Sequence, residues 1–193
     1  MGWWRVLNYD QVAAVIVTKG TTNLDPVLNS LPFEEVQIWD NSILIDSKIY
    51  GRYRAVERTR AEWIYTQDDD CIVRDIHAIL AAVDRMAVVC NMPPERRPFY
   101  NDGIALVGWG CVFHRDCLGV LEQYLECWPN DELFARECDR VFTALNRVKL
   151  VNVPFDHLPH AFGKDRMGEE KRHYGDLARI RERIAEVKKL VAA

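Results

Sequence analysis

No run of apolar residues in the 193-residue chain approaches the roughly 20 needed to span a bilayer, so no transmembrane helix is expected. The opening Met1-Gly2-Trp3-Trp4-Arg5 lacks the charged-then-apolar layout of a secretory signal. Val6 stands where a myristoylation motif carries Ser or Thr. Neither sign of charge dominates: 25 Lys and Arg against 29 Asp and Glu leave a formal net charge of −4, which gives no support to broad capture of nucleic acid. Nor are the basic residues gathered with aromatics into a nucleic-acid module. The six cysteines include no Cys-x-x-Cys pair, which argues against a zinc knuckle or a thioredoxin-like motif. The expectation is reduced, mostly buried thiols in a cytoplasmic protein. Repeats, low-complexity tracts and Gly/Ser linkers are absent too, so the chain reads as one domain over 1–176 with a C-terminal helix, 177–193, packed on or extending from it.

What is present is a globular balance, 49% hydrophobic and 28% charged, arranged as apolar runs alternating with helical patterns. The spacing predicts strands at Val12–Thr18, Val36–Trp39, Trp63–Thr66, Met86–Asn91, Ile104–Val107 and Val148–Val153. Helices are predicted near Asp25–Ser30, Tyr50–Arg60, Asp75–Arg85, Asp116–Cys127, Asp131–Asn146 and Leu177–Val191. In the last of these Leu177, Ile180, Ile184, Val187 and Val191 share one face. The stretches 91–101 and 154–175 read as loops. The fold class is α/β with a mostly parallel central sheet. Three of the strands end in polar residues, at Thr18, at Asp40-Asn41 and at Asp68-Asp69-Asp70. In an open parallel sheet such ends line one rim, where ligands bind.

The acidic triplet is the sharpest feature. Adjacent carboxylates beside a core disfavour one another's ionisation, and a hard divalent cation such as Mg²⁺ or Mn²⁺ relieves that cost. A solvated turn capping the next helix is the competing reading.

The run Tyr50-Gly51-Arg52-Tyr53 through Ala61-Glu62-Trp63-Ile64-Tyr65-Thr66-Gln67-Asp68-Asp69-Asp70 resembles the donor half of GT-A glycosyltransferases, where a helix precedes a strand ending in an Asp-x-Asp motif. Val12–Thr18 and Ile38-Trp39-Asp40-Asn41 resemble the first two strands of that superfamily. The resemblance implies a GT-A type, Rossmann-like three-layer sandwich, a Mn²⁺ or Mg²⁺ cofactor and a nucleotide-sugar donor, UDP- or GDP-linked. On it, Asp70 would bind the metal directly, with Asp68 near the ribose or the metal's water shell. Asp69, Thr18, Asp40 and Asn41 would belong to the nucleotide-sugar site, and Arg52 would lie near the base or diphosphate. A surface helix charge is the alternative for Arg52.

Gly108-Trp109-Gly110 resembles the segment flanking the donor sugar, where glycine admits close approach and a Trp face can stack on a ring. The stretch Asn130–Phe142 resembles the helix carrying the superfamily's Glu-Asp motif, whose carboxylate takes the acceptor proton in inverting members. Cys138 separates Glu137 from Asp139, which leaves the base open between them, Asp139 matching better. A C-terminal histidine completes many such metal shells. His173, among Arg166, Lys171 and Arg172, is the choice, with His157 and His160 as alternatives; Arg166 and Arg172 would reach the diphosphate. The acceptor would be a glycan, protein or small molecule. So short a chain implies a trimmed core enzyme or one completed as a homo-oligomer. A nucleotidyltransferase of related fold and a non-catalytic sugar-binding module are the alternatives. The single glycine of Lys19-Gly20-Thr21-Thr22 counts against the former.

Overall fold

A computed structural model describes residues 7–100, 103–159 and 174–191. Its centre is a six-stranded sheet in the order β2-β1-β3-β6-β5-β7. These strands are β1 (Val12–Thr18), β2 (Glu35–Asp40), β3 (Trp63–Asp68), β5 (Val88–Asn91), β6 (Cys111–His114) and β7 (Val148–Val151). β1 pairs in parallel with both β2 and β3, and β5 with β7, while β6 runs antiparallel to both of its neighbours. All seven residues of β1 are buried, as befits a β-branched central strand covered on both faces. A separate ribbon pairs β4 (Cys71–Val73) with β8 (Phe155–His157).

Helices cover both faces, giving three layers. On one side α2 (Gly51–Val56), α4 (Gly119–Cys127), α5 (Glu132–Leu145) and α6 (Tyr174–Val191) bring Tyr53, Leu121, Phe134, Phe142, Ile180 and Ile184 against the sheet residues Val15, Ile64, Cys90 and Phe113. On the other, α3 (Ile76–Leu80) and the ribbon pack Ile76, Ile79, Cys71 and Val73 against Ala14, Tyr65 and Val112. The short α1 (Asp25–Ser30) starts with Pro26 inside its first turn, as its sequence predicts. All six cysteines are free and five are buried. No described helix is long and apolar enough to cross a membrane.

Several boundaries differ from the sequence reading, each for a visible reason. The helix expected over Tyr50–Arg60 is α-helical only to Val56. The Arg115 guanidinium takes the carbonyls of Val56, Thr59 and Ala61, which satisfies the exiting backbone without a further turn. Ile104–Val107 is not a strand: Ile104, Ala105 and Val107 are buried, but the Ala105 amide donates to Thr143 Oγ1 on α5 rather than to a sheet neighbour. Its apolar pattern records burial, not pairing. The helix expected from Asp75 to Arg85 ends at Leu80, with Asp75 as its N-cap, accepting from the Ala78 amide at 3.0 Å. Residues 155–157, read as loop, form β8.

The C-terminal helix is integral to the core. Ile180, Ile184 and Val187 are buried, whereas Val191, placed on the same face by periodicity, is 61% exposed. Arg183 donates to Asp131 at 2.8 Å, and its guanidinium lies 4.7 Å from the centroid of the Trp128 ring. Ile180→Ala, which deletes a fully buried branched side chain, is therefore expected to lower stability by about 2–5 kcal/mol in urea unfolding. A loss below about 0.5 kcal/mol would mean that α6 does not share the core.

Candidate functional site

The parallel register aligns the C-terminal ends of the first three strands, with Thr18 opposite Asp40 and Val17 opposite Asp68. The polar residues of the acidic triplet divide from there into three sets of contacts.

Asp69 turns toward β1. Thr18 Oγ1 donates to Asp69 Oδ2 at 2.6 Å, and the same hydroxyl accepts from the Gly20 amide at 3.0 Å. Burial pushes the Asp69 carboxyl above its ordinary value; the Thr18 hydrogen bond opposes that shift, and the Asp68 charge adds to it.

Asp68 turns toward α2. Arg52, 2% exposed, donates from one terminal nitrogen to Asp68 Oδ1 at 2.7 Å and from the other to Thr66 Oγ1 at 3.3 Å. Its Nε lies 3.5 Å from Asp139 Oδ1, an ion-pair distance without hydrogen-bond alignment, so Nε is a buried donor with no partner. Burial opposes the guanidinium charge, but Asp139 and Asp68 together outweigh it and hold Arg52 firmly protonated. The surface-charge alternative for Arg52 is thus overturned: its side chain is inside, between two carboxylates. Gly108 presses on Asp68 from the other side, its carbonyl accepting from the Asp68 amide at 2.6 Å. A Cβ on Gly108 would stand 2.0 Å from Asp68 Oδ2, so any side chain there would have to push the Asp68 carboxylate out of its place against Arg52.

Asp70 turns toward the ribbon. Its carbonyl accepts from the Leu158 amide at 2.7 Å, and its Oδ2 lies 3.9 Å from His157 Nδ1. Pairing of Cys71 with His157 across the ribbon brings the two residues together. Beside them Trp109 packs on Phe155, with ring centroids 4.5 Å apart, and edge-on to His157 at 5.1 Å, while the Arg96 guanidinium lies over its ring at 5.1 Å. These residues and Glu95 line an open cleft of about 420 Å³.

Among the described residues no three His, Cys, Asp or Glu side chains are grouped to cage a metal. A Mg²⁺ or Mn²⁺ ion does not require a cage, since it takes one or two protein ligands and fills its shell with phosphate oxygens and water. Asp70 offers a carboxylate to such a shell, with His157 Nδ1 3.9 Å from it. Asp68 is already engaged by Arg52.

The other candidates fall in several places. Asp139, on α5, accepts at Oδ1 from the Tyr53 hydroxyl at 2.8 Å and reaches Asp68 through Arg52. Glu137 is buried and paired with Arg140 at 2.6 Å. Asp40 caps its own turn, accepting from the Ser42 amide and hydroxyl. Asn41 pins the following loop by accepting from the Ser47 amide and donating to the Lys48 carbonyl. Gly110, at φ 100°, packs where a Cβ would stand 2.9 Å from Val73. Arg166, Arg172 and His173 lie outside the described residues, as does His160. Tyr53, part of the run that carries the resemblance, is not among the expected site residues; its one signal is adjacency to Arg52.

No protein-family model matches the chain, and no characterised protein compared with it is significantly similar in sequence.

Two predictions follow from these contacts. Arg52→Met leaves two carboxylates facing each other without their cation and should cost about 3–5 kcal/mol in chemical unfolding, the cost of breaking a buried pair. A loss below about 1 kcal/mol would show that the guanidinium is dispensable. For Asp69 the folded-state pKa is raised, so the native state holds that proton more tightly. The resulting stability is full below the unfolded value and is lost as pH rises through the folded one. Asp69→Asn, neutral throughout, escapes the loss, and its Tm relative to wild type should climb between pH 4 and pH 7.5. Parallel stability curves would contradict the assigned shift.

Proposed function

We propose that this chain is a metal-dependent glycosyltransferase of GT-A type, moving a sugar from a UDP- or GDP-linked donor to an acceptor hydroxyl. The observation that carries the reading is the convergence at one sheet rim of Thr18 with Asp69, Arg52 with Asp68 and Asp139, and Asp70 with His157. Each element of the triplet has a separate partner, which a merely solvated acidic turn would not need.

Under this reading Asp70 and His157 would hold Mn²⁺ or Mg²⁺, His157 being the alternative to His173 for that place. When bound, the cation neutralises the charge that develops on the departing diphosphate. Thr18 and Asp69 stand where the nucleotide enters from β1, with Asp40 and Asn41 shaping the adjoining loop. Asp139 accepts the acceptor's proton as the acceptor oxygen bonds to the anomeric carbon. The bond from that carbon to the diphosphate breaks, and its electron pair leaves with the nucleoside diphosphate. Its partly ionic sugar is the oxocarbenium-like species of glycosyl chemistry. Trp109 borders the cleft with His157, where the transferred sugar or its acceptor would lie.

Thermal shift with UDP-, GDP-, dTDP- and CMP-linked sugars, each with and without Mn²⁺, tests the reading. One nucleotide class should raise Tm only with metal, by an amount equivalent to about 2.7 kcal/mol at a hundredfold excess over Kd. Asp70→Ala should remove the metal-dependent part and keep the fold. Shifts equal with and without Mn²⁺, or unchanged in Asp70→Ala, would remove the metal from the account.

A further inference from the structure

Asp139 is held by one oxygen only. The Tyr53 hydroxyl, on a side chain 4% exposed, donates to Oδ1 at 2.8 Å, and Arg52 Nε approaches the same oxygen at 3.5 Å. Oδ2 accepts no hydrogen bond among the described residues. It is not sealed either: the only buried side-chain N or O atoms without a partner there are Thr22 Oγ1 and Arg52 Nε, and the Asp139 side chain is 19% exposed. One oxygen is thus held by a single hydrogen bond, from Tyr53, with the Arg52 charge beside it, and the other is unpartnered without being fully buried. This is the layout of a carboxylate aimed for proton transfer, because the tether fixes direction and leaves a lone pair free.

We propose that Tyr53 is a positioning residue: by clamping Asp139 Oδ1 it aims Oδ2 at the acceptor and sets the pH at which Oδ2 takes a proton. This rests on the glycosyltransferase reading above. Arg52 supplies charge while the Tyr53 hydroxyl supplies direction, since the guanidinium contact lacks hydrogen-bond alignment. Other charged or titratable groups also act on Asp139. Asp68 on β3 and Glu137 on its own helix repel its charge, Cys138 and Cys111 adjoin it as neutral thiols, and Arg140 is taken up by Glu137. Burial raises the Asp139 carboxyl above its ordinary value, with Arg52 and then the Tyr53 hydrogen bond holding it back. The Tyr53 phenol, pushed up by its own burial and by Asp139, stays a neutral donor.

The test is a carbon-13 NMR titration of aspartate carboxyls, with Asp139→Asn assigning the signal, run on wild type and Tyr53→Phe. Loss of a hydrogen bond to the ionised form should move the Asp139 titration up by about one pH unit. Incorporating 3-fluorotyrosine at position 53, a stronger donor of the same shape, should move it down, which keeps the test available if Tyr53→Phe does not fold. An unmoved titration in both variants overturns the proposal. Hydrolysis of UDP-glucose and GDP-mannose supplies the second readout. The acid limb of kcat should follow the titration while the donor KM is unchanged; a shifted titration with an unmoved limb overturns the positioning role. A purely structural Tyr53 would lower Tm and move neither. Full hydrolysis by Asp139→Asn would instead count against Asp139 as the base, and the titration would still decide whether Tyr53 holds it.

Discussion

The structure depends on one buried cation. Arg52 lies almost wholly inside, with its guanidinium between a carboxylate at the end of β3 and another on α5, and with Thr66 below it. Taking a guanidinium out of water is costly, and the two carboxylates offset that cost, Asp68 by a short hydrogen bond and Asp139 by its charge. The arrangement ties three elements at one point: the helix before the acidic strand, the strand itself and the long helix α5. Because Arg52 links Asp68 to Asp139, the sheet rim and the proposed proton acceptor share one charge balance.

The sheet supplies the rest of the placement. Parallel register carries Thr18, Asp40 and Asp68 to the same edge, and the turn after β3 sends its three acids in three directions. Asp69 returns to Thr18, Asp68 to Arg52, and Asp70 to the β4–β8 ribbon. Gly108 closes against Asp68 so tightly that a side chain there would displace its carboxylate. The reversal of β6 follows from this loop, because the chain that wraps Asp68 enters the sheet next to β3 from the rim side.

Much of this was legible in the sequence where the signal was local. The β-branched run Val12–Thr18, the Asp25-Pro26 start and the acids after Trp63–Thr66 gave the class of fold and the rim. Three features were not legible, each because tertiary contacts decide it. Arg52 sits on a helix whose neighbours Arg54, Glu57 and Arg58 look solvated, and only the packing of α5 shows it turned inward. Ile104–Val107 has a strand's composition, yet its Ala105 amide donates to Thr143 instead of to a sheet neighbour. The ribbon that brings His157 to Asp70 pairs residues 86 apart in sequence at Cys71 and His157, a partnership no periodicity can announce.

On the proposed function, the rim at Asp70 is where a divalent cation and a nucleotide diphosphate would meet. Diffraction from crystals grown with Mn²⁺ and UDP or GDP, measured at the manganese absorption edge, tests it most directly. One strong anomalous peak is expected within bonding distance of Asp70 and His157, with diphosphate oxygens completing its shell. Ordered nucleotide at the rim with no manganese beside Asp70, or manganese and nucleotide bound elsewhere, would contradict it.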